Sequence, residues 1–216
     1  MPALADGNVF VLSLNTPGNP RREHMRRLLH GVTFEFVDGV IVQNVDRDLE
    51  SWCASRHLPT PMTSTFFQPK PGDLGVLLAF LQVWETIVSR GLPYAFVLED
   101  DVVANASIDV FRHQVAFAPD VDLAFLHPYG GFGMYITYVT LAGARKLVAA
   151  RERFIALDKP VDLSLWEGDL PEVRMVSSCG SADWLFVQAS PLNDVVHSQR
   201  VAVNERATSQ PLAPTL

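Results

Sequence analysis

Short apolar runs alternating with helical ones narrow most sharply what this chain can fold into. Residues Asn8 to Leu14, NVFVLSL, are β-rich and mostly apolar, as in a parallel strand buried on both faces. Asn15-Thr16-Pro17-Gly18 breaks that run. Asn19 and Pro20 then supply a helix cap and a first helical position. The helix PRREHMRRLL buries Met25, Leu28 and Leu29, and Gly31 suits its stop. Val32 to Val37 reads as a second strand, so the chain opens β-α-β.

The alternation resumes after an irregular stretch, residues 43 to 70, which holds three prolines and is read as a long excursion with one short helix. From Pro71, residues Leu74, Leu77, Leu78, Leu81, Trp84 and Val88 share one helical face, closed by Arg90 and Gly91. Tyr94 to Leu98 is a buried strand that runs into Glu99-Asp100-Asp101. Val121 to Leu126 is another, ending in His127-Pro128-Tyr129-Gly130-Gly131. Met134 to Val139 reads as a strand, and Thr140 caps the helix LAGARKLVAARE. Strands and helices in this order imply an α/β fold, with a mostly parallel central sheet and helices on both faces. Ligands of such sheets bind beyond the carboxyl ends of the strands. The 216 residues suit one such domain, expected over 1–207, with 208–216 as a flexible tail.

The formal net charge of -7 argues against whole-molecule attraction to nucleic acid or anionic lipid. Two cysteines, Cys53 and Cys179, make neither a disulfide scaffold nor a metal-type spacing. The first residues lack a signal-peptide profile, and the apolar stretch from Leu74 to Trp84 is short for a bilayer span. A cytoplasmic setting is the expectation.

Three consecutive carboxylates at the end of a buried strand are the sharpest chemical feature. Continued strand geometry puts Glu99 and Asp101 on one side and Asp100 on the other. Like charges on one side repel unless a cation or hydroxyl donors meet them. Mg²⁺ or Mn²⁺ suits carboxylate oxygens completed by substrate phosphates; the bland reading is a solvated acidic turn. Arg21 and Arg22 stand in the first turn of a helix, where cations oppose the helix dipole. A helix start carrying arginines is well made for a diphosphate. Gly130, Gly131 and Gly133 permit close backbone approach to a ligand but are no Rossmann fingerprint. His127 is a candidate ligand or proton acceptor. Asp162 and Asp183 are candidate general bases, and Trp166 or Trp184 candidate sugar-stacking rings; for each of these a cap, core or surface role is the plainer reading.

Several of these segments together resemble glycosyltransferase family 25, the lipopolysaccharide and lipooligosaccharide glycosyltransferases and their collagen galactosyltransferase relatives. The likeness is carried by Val9 to Asn15 with Arg21-Arg22-Glu23-His24-Met25, and by Phe34 to Asp38. It continues through Gly72-Asp73-Leu74-Gly75, Trp84, and Gly91 to Ala95 leading into Leu98-Glu99-Asp100-Asp101-Val102. Gly133, Tyr138, Thr140, Gly143 to Leu147 and Pro160-Val161-Asp162 follow. The resemblance implies a GT-A-like fold that binds Mn²⁺ (or Mg²⁺) and a UDP-sugar donor. It implies Asp101 as the main metal ligand, with Glu99 beside it towards the ribose or a metal-bound water. Asn15 and Thr16 would lie near the nucleobase, and Arg21, Arg22 and Asp100 would complete the donor site.

The implied function is a metal-dependent, inverting transfer of galactose or a similar hexose. The acceptor would be a hydroxyl on a glycan, a lipid-linked glycan or a small molecule, and a lipid-linked acceptor would bring the protein to a membrane surface without a transmembrane segment. One departure bears on activity. The family usually carries a Ser-His pair where this chain has Ala79 and Phe80, and Val76 stands where a Cys is common. The alternatives are therefore a degenerate member that binds a nucleotide or partner without transfer, and another metal-dependent nucleotide chemistry.

Overall fold

The computed structural model describes residues 8–60, 70–102, 120–126, 134–156 and 159–177. Six strands, β1 (Val9–Ser13), β2 (Glu35–Asp38), β3 (Tyr94–Glu99), β4 (Leu123–Phe125), β5 (Ile136–Thr140) and β6 (Met175–Ser177), make one sheet in the order β2-β1-β3-β5-β4-β6. β1 pairs in parallel with β2 and β3, and β4 with β6. β5 alone runs against its neighbours, β3 and β4. The mostly parallel sheet expected from the sequence is thus present with one reversed strand. The segment joining β4 to β5 is shorter than the dozen or so residues that a parallel crossover needs, so those neighbours run antiparallel.

Alternation along β1 and β3 builds two apolar layers. Val9, Val11, Phe96 and Leu98 share one layer with Met25 of helix α1 (Pro20–Leu28) and with Leu29. Phe10, Leu12, Ala95 and Val97 face the other way, into the larger layer. There they meet α2 (Val45–Ser55), α3 (Pro71–Arg90), α4 (Leu141–Ala149), α5 (Arg151–Ala156) and α6 (Val161–Trp166). Helices cover both faces, and β1 is buried along its whole length.

The helix limits follow local chemistry. Asn19 caps α1, its side-chain oxygen accepting from the Arg21 N–H at 2.9 Å, with Pro20 at the first position. Thr140 caps α4 by accepting from the Gly143 N–H at 3.0 Å. The helical pattern after Thr140 is interrupted at Ala150 and continues as α5. The irregular stretch after residue 43 holds an 11-residue helix, α2, which buries Leu49, Trp52 and Cys53 and is capped by Asn44. α3 is buried on far more than the expected stripe: Ala79, Phe80, Val83 and Ile87 are buried too. Among the described helices it alone is long and apolar enough to cross a membrane by length and composition. Its apolarity has a cause in the fold, since it lies between the sheet and α4 and α6.

The far edge of the sheet depends on Asp122, just before β4. Its carboxylate is buried, accepts from the Arg174 N–H at 2.8 Å and pairs with Lys146 of α4. Its carbonyl accepts from the Thr140 N–H at 3.0 Å. α4 starts so close to this backbone that a Cβ on Gly143 would lie 2.1 Å from the Asp122 carbonyl oxygen. Neither backbone can yield cheaply, so Gly143→Ala is expected to cost about 1–3 kcal/mol by overpacking. Urea unfolding of the two proteins checks this, and an unchanged midpoint would refute the close approach.

Candidate functional site

Because β1 and β3 are parallel neighbours, with Leu12 beside Glu99, their carboxyl ends leave the sheet together. Residues 100 and 101 form a turn. Asp100 is buried, its side chain 10% exposed, and its carboxylate is met from both sides. Ser13 Oγ donates to Oδ2 at 2.6 Å, and the Arg21 guanidinium donates to Oδ1 at 3.0 Å. The same guanidinium nitrogen lies 3.7 Å from Asp101 Oδ2. His24 Nε2 donates to the Val102 carbonyl at 2.9 Å. The start of α1 is thereby stitched to the acidic turn at two places. Asn19 completes the junction, its amide donating to the Leu14 carbonyl at 2.7 Å.

This differs from strand alternation, which puts Asp100 opposite its neighbours. β3 ends at Glu99, so the alternation stops there, and the Ser13 hydroxyl and Arg21 draw Asp100 towards α1. Glu99, Asp100 and Asp101 all line one cavity.

The two arginines that oppose the dipole of α1 have different employments. Arg21 reaches the acidic turn. Arg22 turns to the opposite side of β1, where it pairs with Asp38 and donates to the Ser13 carbonyl at 3.0 Å and Asn15 Oδ1 at 3.1 Å. Its guanidinium carbon also lies 4.8 Å from the centre of the Phe36 ring. The Asn15 amide donates to Asp38 at 3.1 Å. Asp38 is held below the usual carboxylate range, chiefly by the Arg22 hydrogen bond, against a smaller opposing effect of desolvation.

The cavity beside the acidic turn has a volume of about 650 Å³, within the usual range for small-molecule sites. Its charged side is Arg21 with the three acids; Thr16 and Asn19 also line it. Its apolar wall is Leu12, Leu14, Val40, Ile41, Val76 and Ala79. Leu14, Ile41 and Val76 are among the few large hydrophobic side chains left exposed, at 43, 58 and 41%. The wall exists because α3 approaches the segment after β2 without a side chain between them. A Cβ on Gly75 would sit 2.5 Å from the Val40 carbonyl oxygen.

Of the residues singled out in the sequence, the structure brings Thr16, Arg21, Glu99, Asp100 and Asp101 together around this cavity. Asn15 and Arg22 lie outside its lining, tied to Asp38. Asp162 stands in the first turn of α6, also outside the lining, and its carboxylate accepts from the Leu163 N–H at 2.9 Å. Asp183, Trp184, His127, Gly130, Gly131, Gly133, Cys179 and the tail 208–216 lie outside the described residues. Trp166 packs edge-on against Phe125, centroids 6.0 Å apart. Ala79 and Phe80 part company: Ala79 faces the cavity, while Phe80 is fully buried against Trp84, centroids 5.9 Å apart. Sequence reasoning missed Ser13, Gly75 and the 39–42 segment. Ser13, a lone hydroxyl closing an apolar strand beside an acid-ended one, carried the only usable signal.

Among the described residues no three His, Cys, Asp or Glu side chains converge as a ready metal cage. The arrangement is instead an acidic strand end, with an arginine against it and an apolar wall opposite. It occurs in a segment that matches a known family: the model of glycosyltransferase family 25, described as an LPS biosynthesis protein, matches residues 7–127. That is more than half of the chain. The chain belongs to glycosyltransferase family 25. The match takes in β1, α1, α3, β3 and the whole lining of the cavity. The chain is also 30% identical over 100 residues to a human protein named inactive glycosyltransferase 25 family member 3. That stretch covers 44% of this chain and 16% of the human protein, so the chain spans only a small part of that relative. A solved structure with a related outline is a glycosyltransferase involved in the glycosylation of the major capsid of PBCV-1. It shows 12% identity and a TM-score of 0.46, covering 79% of this family 25 chain and 81% of its own.

The Arg22–Asp38 link gives a pH prediction. A depressed carboxylate contributes stability that is present above its unfolded value, about 3.9, and is lost as pH falls through the lower folded value. Carboxyl-carbon NMR should therefore find Asp38 titrating below the ordinary aspartate value, and Arg22→Gln should move it back up. An Asp38 midpoint unmoved by that substitution would show that the pair does not form in solution.

Proposed function

We propose that this cavity is the donor site of a metal-dependent, inverting hexosyltransferase that takes galactose or a similar sugar from a UDP-sugar to an acceptor hydroxyl. The observation that carries the reading is that all three acidic residues and Arg21 line one cavity that also has an apolar wall, at the carboxyl ends of adjacent parallel strands. An apolar wall suits the flat faces of a nucleoside, and the charged wall suits a diphosphate with its counter-ion.

The donor set fits a hard divalent cation, Mn²⁺ or Mg²⁺. The groups are carboxylate oxygens, and a guanidinium already lies against two of them as an organic stand-in for positive charge. With no three-residue cage among the described residues, the fit is to an ion held by one or two carboxylates plus substrate phosphates. Asp101, assisted by Glu99, would hold it, and it would neutralise the leaving diphosphate. Ser13 fixes Asp100, and Asp100 with His24 fixes the start of α1, so the acidic turn is preorganised before a ligand arrives. Arg21, at the cavity wall, is placed to meet diphosphate oxygens. In-line attack inverts the anomeric centre and requires a base for the acceptor proton; Asp162 and Asp183 are the sequence's candidates for that role, with Asp162 outside the cavity lining.

Ala79 favours a second reading. Where the family keeps a hydroxyl, the cavity presents a methyl group, and the human relative is named inactive. On this reading the protein binds nucleotide without transferring sugar.

The test is donor consumption with a panel of nucleotide sugars in Mn²⁺, alongside UDP calorimetry. The proposal expects a UDP-hexose to be consumed. Asp101→Asn should lower kcat about 10²–10³-fold while circular dichroism stays unchanged, the usual size for a lost charge-stabilising group. UDP binding without consumption of any donor would select the second reading. Full activity of Asp101→Asn would overturn the metal assignment.

A further inference from the structure

We infer that Arg21 is a built-in counter-cation of the acidic turn, which a divalent metal ion on Asp101 must displace from that carboxylate. The inference rests on the metal reading above and adds to it a competition within the chain. The guanidinium nitrogen, 3.0 Å from Asp100 Oδ1 and 3.7 Å from Asp101 Oδ2, occupies ground beside Asp101 that an ion on that carboxylate would use. Asp100 Oδ2 is already taken by Ser13 Oγ at 2.6 Å. The side of the turn that faces Arg21 therefore already carries one positive charge against its two carboxylates. Two cations on one pair of carboxylates repel each other, so entry of one favours departure of the other.

The surroundings make Arg21 displaceable. Its side chain is 51% exposed, whereas those of Asp100 and Asp101 are 10 and 8% exposed. The arginine reaches in from the solvent side, and Asn19 and His24 still tie α1 to the neighbouring backbone when its guanidinium swings away from Asp101. Asp100 does not follow it, because Ser13 holds the other oxygen. Arg22, one residue on, shows the contrast. It is 13% exposed, donates to Asn15, Ser13 and Asp38, and stacks on Phe36. That arginine is a fixed strut, and Arg21 is a tethered ion. Once released, Arg21 still lines the cavity, so the charge is relocated along the same wall.

Binding of Mn²⁺ alone, followed by loss of the free-ion electron paramagnetic resonance signal, tests this with no turnover involved. Arg21→Gln should bind Mn²⁺ about tenfold more tightly than the native protein, the size of a released charge-assisted hydrogen bond. Asp101→Asn should lose the binding. If Arg21→Gln binds no more tightly while Asp101→Asn still loses the ion, the competition is overturned and the metal reading stands. If no form binds Mn²⁺ either alone or with UDP present, both fall. A second measurement needs no substitution. In a Mg²⁺ titration of the native chain, the Arg21 side-chain Nε–H resonance should move with the binding curve while that of Arg22 stays in place. An Arg21 resonance that does not respond to bound Mg²⁺ overturns the inference even if Arg21→Gln proves too unstable to study.

Discussion

A carboxylate as buried as that of Asp100 must be met by donors, because an isolated charge out of water is costly. Its two partners come from different elements. Ser13 is the last residue of β1, and Arg21 lies in the first turn of α1. Satisfying one carboxylate therefore fixes the angle at which α1 leaves the sheet, the course of the chain from Leu14 to Asn19, and the position of the turn after β3. The cavity is bounded by those same segments. Its other boundary is set by contact alone: Gly75 lets α3 touch the backbone at Val40 and close the apolar wall.

Much of the fold was legible because local and tertiary preferences agree. Asn19-Pro20 is both a good cap and the place where α1 must start. Val9 to Ser13 is both β-rich and buried. The acid-ended strand reads correctly as one whose carboxyl end opens on a cavity. What was not legible depended on contacts between distant segments. The side to which Asp100 turns is decided by Ser13, 87 positions away. Strand alternation gave the wrong side because the strand had already ended. The one short helix expected in 43–70 is α2, whose place the pattern did not give because it is stabilised by packing Leu49, Trp52 and Cys53 against the core rather than by a long apolar stripe. The paired arginines violate the helix-dipole preference, and one of them, Arg21, lines the cavity. Only the structure separates the one facing the acids from the one bracing β2.

Family membership and geometry together sharpen the question of activity. The departure at residues 79 and 80 looks like one change in the sequence and is two in the fold. Phe80 belongs to the aromatic cluster with Trp84 and Phe154, so it is a packing residue and presents nothing to the cavity. Ala79 removes a hydroxyl from the cavity wall and leaves the charged wall intact. The change therefore falls on the apolar wall of the cavity and spares Arg21 and the three acidic residues on its charged side.

The account's central claim is that the acidic turn and the apolar wall form one nucleotide-sugar site. It is tested most directly by a crystal structure of the protein with UDP and Mn²⁺. The account predicts the uracil ring against the wall of Leu12, Val40 and Ala79, and an anomalous manganese peak bridging the diphosphate to Asp101. A nucleotide bound elsewhere on the protein, or a metal ion bound away from the acidic turn, would contradict it.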